Sequence, residues 1–242
     1  MQKTVSRLWL LFIVFSITGL FVSRGQGAIL WKDDFSDELI FEITWDTENT
    51  TGTPHLENNL CVLNTTDQGN PPGEAIITLP SRVLPDNFDL LAAVELTNVE
   101  EDRGEFYIRI GGRYELVLSF LKEASEKDKK PCRSVFVRHA LKKTCLSQST
   151  DAPSRFPHTI TSGERCFITW TCNGEMPALQ MIKVGTNPGE ADIADYLIET
   201  DEPVSGRVEI GIRKGVREVR LNYVRAYTFG TSSSLVHDWV LF

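Results

Sequence analysis

Three carboxylates follow the turn-forming residues Asn187-Pro188-Gly189: Glu190, Asp192 and Asp195. Two carboxylates that share one cleft can cleave a glycosidic bond, one as nucleophile or base and the other as general acid. The acid must hold its proton near neutral pH, which requires partial burial, whereas carboxylates on an exposed turn stay solvated and ionised. The sequence therefore predicts an inert acidic loop or short helical turn. A glycoside hydrolase that uses Glu190 and Asp195 is the alternative.

Cysteine and histidine are the other residue types with strong chemistry, and their spacing favours disulfides over zinc. No C-x2-C pair occurs, and the four histidines are scattered without ligand spacing. An oxidising compartment would favour disulfide bonds among the five cysteines. The candidates are Cys61, Cys132, Cys145, Cys166 and Cys172.

Predicted strand geometry limits how these cysteines pair. Cys166 and Cys172 lie on one face of a single strand, and six extended residues span about 20 Å, which is too far for a bond. Cys132 and Cys145 flank a predicted hairpin over residues 134–144 and could bridge its base. Cys61 would then pair with Cys166 or Cys172, and one thiol would stay free or pair between chains.

The first 27 residues have the pattern of a secretory signal peptide. Lys3 and Arg7 precede an apolar run from Leu8 to Val22, and Gly25-Gln26-Gly27 offers small residues at a cleavage site. The run is shorter than the roughly 20 residues that a bilayer span needs. Two sequons, at Asn49 and Asn64, predict N-glycosylation. We therefore expect a secreted glycoprotein without a membrane span in its mature chain.

Composition describes a folded, acidic globule. The chain has 242 residues, 41% hydrophobic and 24% charged, with a formal net charge of −8. That charge argues against nucleic acid, because few basic groups are available to neutralise phosphates. The prediction is a signal peptide at 1–27, one domain at 28–229 and a C-terminal tail at 230–242.

Period-2 alternation dominates the mature chain and predicts an all-β protein. Phe106, Ile108 and Ile110 alternate with Tyr107 and Arg109, and similar runs recur between Gly- and Asn-rich turns. About a dozen such strands predict an antiparallel β-sandwich. The alternation slips late in the chain at Val224 and Ala226, which a β-bulge would explain. The charged segment 121–131 could form a short helix, although a solvated loop is preferred. Residues 190–199 could form one or two helical turns.

Both ends of the mature chain resemble concanavalin A-like lectins and glucanases. The resemblance rests on the opening W-K-D-D-F-S-D, the strand L-E-N-N-L-C-V-L and the late V-R-L-N-Y-V-R-A-Y. The segment 189–195 is also similar to the G-E-I-D-I-x-E strand of the family's glucanases, although Asp195 stands where that family has Glu. The resemblance implies a jelly-roll, concanavalin A-like sandwich.

The middle of the chain, residues 88–213, resembles the domain found in so-called farnesoic acid O-methyltransferases. The similar parts are Y-E-L-V-L, S-V-F-V-R and C-F-I-T-W, followed by I-K-V-G at 182–185 and V-E-I-G at 208–211. The family name implies methyl transfer. That activity is not carried over, because this sequence has neither the helices nor the glycine-rich turn of such enzymes.

These observations predict a non-catalytic module that binds a glycan or an extracellular glycoprotein; a structural or adhesive protein is a further alternative. Trp170 shares a face with buried positions and is expected in the core. The exposed, ligand-facing aromatics are predicted to be Trp45, Tyr107 and Tyr196. No cofactor is expected, although Asp34 and Asn222 could contribute oxygen ligands to calcium if the terminal strands pair.

Overall fold

The computed structural model describes residues 28–47, 52, 54–65, 75–99, 103–121, 135–142, 144–146, 163–213 and 216–228. Its elements are β1 Ile29–Asp33, α1 Glu38–Thr44, β2 His55–Glu57, β3 Leu60–Asn64, β4 Ala75–Leu84, β5 Phe88–Val99, β6 Arg103–Ile110, β7 Tyr114–Leu121, β8 Val135–His139, β9 Thr144–Cys145, β10 Arg165–Asn173, β11 Ala178–Gly185, β12 Ala194–Thr200, β13 Gly206–Arg213 and β14 Val216–Thr228. The predicted signal peptide and C-terminal tail lie outside the described residues.

The strands form two antiparallel sheets. Sheet A has the order β12-β11-β10-β5-β14-β3-β2, and β1 also pairs with β14. Sheet B has the order β4-β13-β6-β7-β8-β9. The inner faces of both sheets form the hydrophobic core, because alternate residues of each strand point to the same side. The predicted antiparallel β-sandwich is confirmed.

β14 contains the predicted bulge. Opposite β5, the register shifts between Leu221 and Tyr223, so Asn222 is the extra residue. Leu221, Val224 and Ala226 are all buried, which accounts for the slipped alternation. On its other edge, β14 pairs with β3 through residues 218–221 and with β1 through residues 224–227. The terminal strands therefore do pair, as expected.

Helix α1 was not predicted from the sequence. The carboxylate of Asp37 begins this helix by accepting hydrogen bonds from the backbone N–H groups of Leu39 and Ile40, at 3.0 and 3.2 Å. Phe41 is its buried residue, and the chain becomes extended again at Trp45. No helix in the described ranges is long and apolar enough to cross a membrane.

Two local predictions were wrong. Helical turns were considered for residues 190–199, but Ala194–Thr200 is the edge strand β12, which pairs with β11. Residues 140–142 form a turn between β8 and β9, and Arg138 and His139 are strand residues that pair with Cys145 and Thr144. Cys132 and Cys145 were predicted to face each other at the base of a hairpin over residues 134–144, but Arg138 is the residue opposite Cys145. Cys132 and the other helix candidate beyond Leu121 lie outside the described residues.

Candidate functional site

The outward positions of sheet B form a grid of charged side chains. One row runs across five strands, from Thr78 through Glu209, Arg109 and Glu115 to Arg138. Because opposite charges stand directly across from one another along this row, each pair can close an ion pair. The row is therefore a cross-strand network rather than a set of separate solvated charges.

Glu115 is the centre of this network. Its side chain is only 1% exposed and accepts hydrogen bonds from Arg109 at 2.5 Å, Arg138 at 2.6 Å and Arg213 at 3.0 Å. Burial of Glu115 favours its neutral form, but hydrogen bonds and charge from Arg213 and Arg109 outweigh burial and lower the pKa to about 2. Glu115 is therefore a permanent carboxylate that fixes three guanidinium groups.

A second carboxylate and an aromatic ring complete the network. Glu105 accepts a hydrogen bond from Arg213 Nε at 2.9 Å. The guanidinium carbons of Arg213 and Arg109 lie 4.2 and 4.9 Å from the centre of the Tyr107 ring. Gly211 stands opposite Tyr107, and a Cβ there would come within 2.6 Å of the ring. The ring therefore requires glycine beside it and lies buried beneath two arginines.

A cleft of about 580 Å³ adjoins the network and shares Glu209 with it. Arg207 pairs with Val83 and Glu209 with Thr78, so residues 79–82 of β4 are opposite a single residue of β13. This irregularity lies at the cleft, since the residues on both sides of it line the cleft. The cleft is lined by Thr78, Val83, Gly111, Gly112, Arg113, Pro203, Ser205, Gly206, Arg207 and Glu209.

One side of the cleft is formed by the glycine turn between β6 and β7. Gly111 and Gly112 both have positive φ, 60° and 68°, and begin a three-residue connection in which the Arg113 N–H donates to the Ile110 carbonyl at 3.1 Å. A Cβ on Gly111 would overlap the carbonyl oxygen of Ser205, whereas a Cβ on Gly112 would meet nothing within 4 Å. The turn therefore packs closely on the β12–β13 loop and leaves open space at Gly112.

Two of the aromatic residues predicted to face a ligand are buried, and the prediction was wrong for both. Trp45 enters the core after α1, where its ring lies 6.4 Å from that of Trp31 and its Nε1 donates to Asp33 at 2.6 Å. Tyr107 points outward but is covered by arginines, as described above. Tyr196 is half-buried, and its hydroxyl donates to the Val135 carbonyl at 2.7 Å. Trp45 and Tyr107 therefore offer no open ring face to a ligand.

Trp170 lies in the core, as predicted. Its Nε1 donates to Oε1 of the fully buried Gln180 at 3.0 Å. Cys166, Ile168 and Cys172 are buried on the same face of β10. A sugar cannot stack on Trp170 in this arrangement.

Cys61, Cys166 and Cys172 are free and buried. Cys61 is opposite Leu221, Leu221 is opposite Val94, and Val94 is opposite Cys166. Three strand spacings, about 14 Å, therefore separate Cys61 from Cys166, which is twice the reach of a disulfide.

Cys172 is no nearer to Cys61. It is opposite Phe88, far along β5 from Val94. The predicted pairing of Cys61 with Cys166 or Cys172 was wrong, and the prediction that Cys166 and Cys172 do not pair is confirmed. Burial raises the pKa of Cys166 to about 12 and that of Cys172 to about 11. The remaining candidate pair, Cys132 and the side chain of Cys145, lies outside the described residues.

Glu190 and Asp192 lie on a loop, as predicted, whereas the third predicted loop carboxylate, Asp195, is a residue of strand β12. Glu190 is exposed and accepts a hydrogen bond from Asn187 Nδ2 at 2.9 Å. Asp195 is exposed on β12, opposite Lys183 in sheet A, so it shares no strand with Glu190. Asp192 has a structural role that the sequence did not reveal. It closes the loop by accepting from the backbone N–H and hydroxyl of Thr186, at 2.8 and 2.6 Å.

Of the two predicted glycosylation sites, one lies within the described residues. Asn64 is the half-buried last residue of β3 and pairs with Glu218 of β14. Asn49 lies outside the described residues. Modification of either asparagine stays a prediction.

The residues considered for calcium do not form a metal site. Asp34 is exposed, and its Oδ1 accepts from the Ser36 hydroxyl at 2.8 Å. Asn222 offers one buried Oδ1 atom that has no hydrogen-bond partner among the described residues. Calcium needs six to eight oxygen ligands, and the described residues contain no cluster of three or more Asp, Glu, His or Cys that could hold a metal.

No family model matches the chain, and no curated protein matches it in sequence. Solved structures with the same fold do match. The carbohydrate recognition domain of Emp47p is 12% identical with a TM-score of 0.53, and the match covers 85% of this chain and 98% of that domain. The exoplasmic/lumenal domain of VIP36, in a Ca²⁺/Man3GlcNAc-bound form, is 10% identical with a TM-score of 0.51, covering 83% and 90%.

An enzyme shares the fold as well. The GlcNAcα1-4Gal-releasing endo-β-galactosidase of Clostridium perfringens is 11% identical with a TM-score of 0.51, and the match covers 84% of this chain and 63% of the enzyme. At this level of identity the comparisons establish the lectin-type β-sandwich fold. The resemblance to concanavalin A-like proteins is confirmed at the level of fold, and the resemblance to the farnesoic acid O-methyltransferase-like domain finds no match.

Proposed function

We propose that this protein is a secreted, non-catalytic module that binds glycans on the outer face of sheet B. The observation that carries the proposal is the continuity between the Glu115 network and the 580 Å³ cleft through Glu209. The fold, shared with carbohydrate recognition domains, supports the ligand class.

The chemistry of this face suits a saccharide. Guanidinium groups and carboxylates held in fixed positions can donate to and accept from sugar hydroxyls. The Glu209 carboxylate is held by Arg109 at 2.5 Å, so it needs little ordering when a ligand arrives. Val83 and Pro203 offer apolar surface to the C–H face of a ring, and Gly112 leaves room for it.

The same groups argue against hydrolysis. A general acid must hold a proton near neutral pH, but the pKa of Glu115 is lowered to about 2. Glu190 and Asp195, the alternative pair, lie on an exposed loop and an edge strand of sheet A and do not line the cleft. Methyl transfer has no support from an all-β sandwich without a nucleotide-binding turn.

A glycan array with the full chain, expressed in a eukaryotic secretory host, tests the proposal. We expect binding to a restricted set of glycans, a mature N-terminus near Ala28 and a mass that glycosidase treatment lowers. Glu209→Ala should weaken glycan binding about tenfold or more, because a hydrogen bond to a charged group contributes about 1.5–3 kcal/mol. Glu199→Ala, at an exposed glutamate on β12, is the matched control and should bind normally.

Two results would contradict the proposal. Folded wild-type protein that binds no glycan but captures a protein partner would favour the structural or adhesive alternative. Glycan binding that Glu209→Ala leaves unchanged would move the site away from sheet B. Retention of the protein inside the host cell with Met1 intact would contradict the proposed secretion but not the proposed glycan binding.

A further inference from the structure

The cleft contains one arginine, Arg207, whose charge is not neutralised by any described residue. Arg113 lines the cleft and pairs with Glu202 at 3.0 Å, and Arg109 and Arg213 of the network each bind one or more glutamates. The Arg207 side chain is exposed, and its guanidinium has no hydrogen bond or ion pair with any described residue. One guanidinium in the cleft is therefore available to a ligand.

The balance of charge in the cleft favours an anion. Its charged lining residues are Arg113, Arg207 and Glu209. Glu209 is bound to Arg109, and Arg113 is bound to Glu202, so no described residue compensates the charge of Arg207. This positive position occurs on a chain whose formal net charge is −8. A general attraction to anions is therefore absent, and the preference is confined to the cleft.

The lining also lacks the usual means of holding a neutral sugar. No aromatic side chain is among the described residues that line the cleft, and the nearby ring of Tyr107 is buried under Arg109 and Arg213. Affinity must then come mainly from polar groups, and charge-assisted hydrogen bonds are the strongest of these. A planar guanidinium binds a carboxylate or sulfate group through two parallel hydrogen bonds.

We infer that the cleft binds acidic saccharides, with the carboxylate or sulfate of the sugar held by Arg207. This inference rests on the proposed glycan-binding function and adds the ligand class. Arg207 sets the specificity, while Glu209 and the glycine turn contact the rest of the sugar.

Titration calorimetry with paired probes tests the inference. The probes are sialyllactose, an oligogalacturonate and a sulfated lactose, each measured against its neutral parent sugar. We expect at least one acidic probe to bind about tenfold or more tightly than its parent, and the difference to shrink as salt is raised. The probe with the largest difference distinguishes a carboxylate from a sulfate ligand.

Variants of Arg207 connect this preference to the cleft. Arg207→Gln should abolish the difference between acidic and neutral probes, and Arg207→Lys should retain part of it, because a lysine keeps the charge but loses the bidentate geometry. Arg165→Gln is the control, since Arg165 is an arginine of sheet A that pairs with Glu95 at 3.6 Å. It should leave all affinities unchanged. Thermal melts of each variant establish that it is folded.

The outcomes separate the inference from the function on which it rests. Equal binding of acidic and neutral sugars, or an acidic preference that survives Arg207→Gln, would overturn the inference while glycan binding itself stands. Failure of every probe, together with an empty glycan array, would overturn both.

Discussion

Replacing Glu115 with glutamine should destabilise the protein by several kcal/mol. The substitution keeps the size of the side chain but removes the charge that Arg109, Arg138 and Arg213 share. A pKa lowered from 4.5 to about 2 corresponds to about 3 kcal/mol of unfolding free energy at neutral pH. Because the side chain is only 1% exposed, solvent screening does not reduce this figure much. We expect Glu115→Gln to lose about 3 kcal/mol at pH 7.

The loss should depend on pH in a defined direction. The pKa of Glu115 is lower in the folded protein than in the unfolded chain, so its stabilisation is complete above about pH 4.5 and disappears as pH falls through about 2. The difference between wild type and Glu115→Gln should therefore shrink to about 1.4 kcal/mol at pH 3.

Urea unfolding at pH 7, 5 and 3, followed by tryptophan fluorescence, measures this difference. Glu95→Gln is the control, since Glu95 is 26% exposed and pairs with a half-exposed Arg165 at 3.6 Å. Surface pairs of this kind contribute about 0–1 kcal/mol, so Glu95→Gln should lose no more than about 1 kcal/mol at pH 7. A loss below 1 kcal/mol for Glu115→Gln at pH 7, or one that is constant from pH 7 to 3, would refute the reasoning.

Three further predictions follow from local contacts. Asp192→Asn should cost about 1 kcal/mol because it weakens the two hydrogen bonds that close its loop, whereas Glu190→Gln in the same loop should stay within about 0.5 kcal/mol of wild type; chemical denaturation compares them. Gly111→Ala should lower the melting temperature through overlap with Ser205 and a strained positive φ, and Gly112→Ala, which has the same strain without the overlap, is the control. The buried thiols of Cys61, Cys166 and Cys172 should resist alkylation in the native protein and become labelled in guanidinium, as peptide mapping can show. Labelling without denaturant would contradict their burial.

The sheet architecture was predictable because alternation is a local property of each strand. Every second residue of Phe106–Ile110 is buried, and the break in the pattern at Val224 identified a bulge that the register shows between Leu221 and Tyr223. The charged residues of the site also carried a signal. Arg109, Glu209 and Arg213 occupy polar positions in strands whose other positions are apolar.

The assembly of the site could not be predicted, because it depends on which strands are neighbours and in what register. Glu115 meets Arg213 only because β13, β6 and β7 are consecutive in sheet B, and these residues are 98 positions apart in sequence. Tyr107 was expected to be exposed because it points outward, yet two arginines cover it. Trp45 was predicted to be exposed, but it follows the short helix α1, which was not predicted, and is buried in the core.

The network explains how a face without an open aromatic ring could still bind a sugar with useful affinity. Each side chain that is ordered upon binding costs about 0.5–1.5 kcal/mol. Arg109 and Arg213 are already fixed by Glu115 and the Tyr107 ring, and Glu209 is fixed by Arg109, so this cost falls mainly on Arg207. A ligand that supplies the missing anion orders Arg207 through its own hydrogen bonds, whereas a neutral sugar leaves Arg207 disordered or unpaired. In the proposed site, the rigid network and the Arg207 guanidinium would therefore act together to favour acidic over neutral glycans.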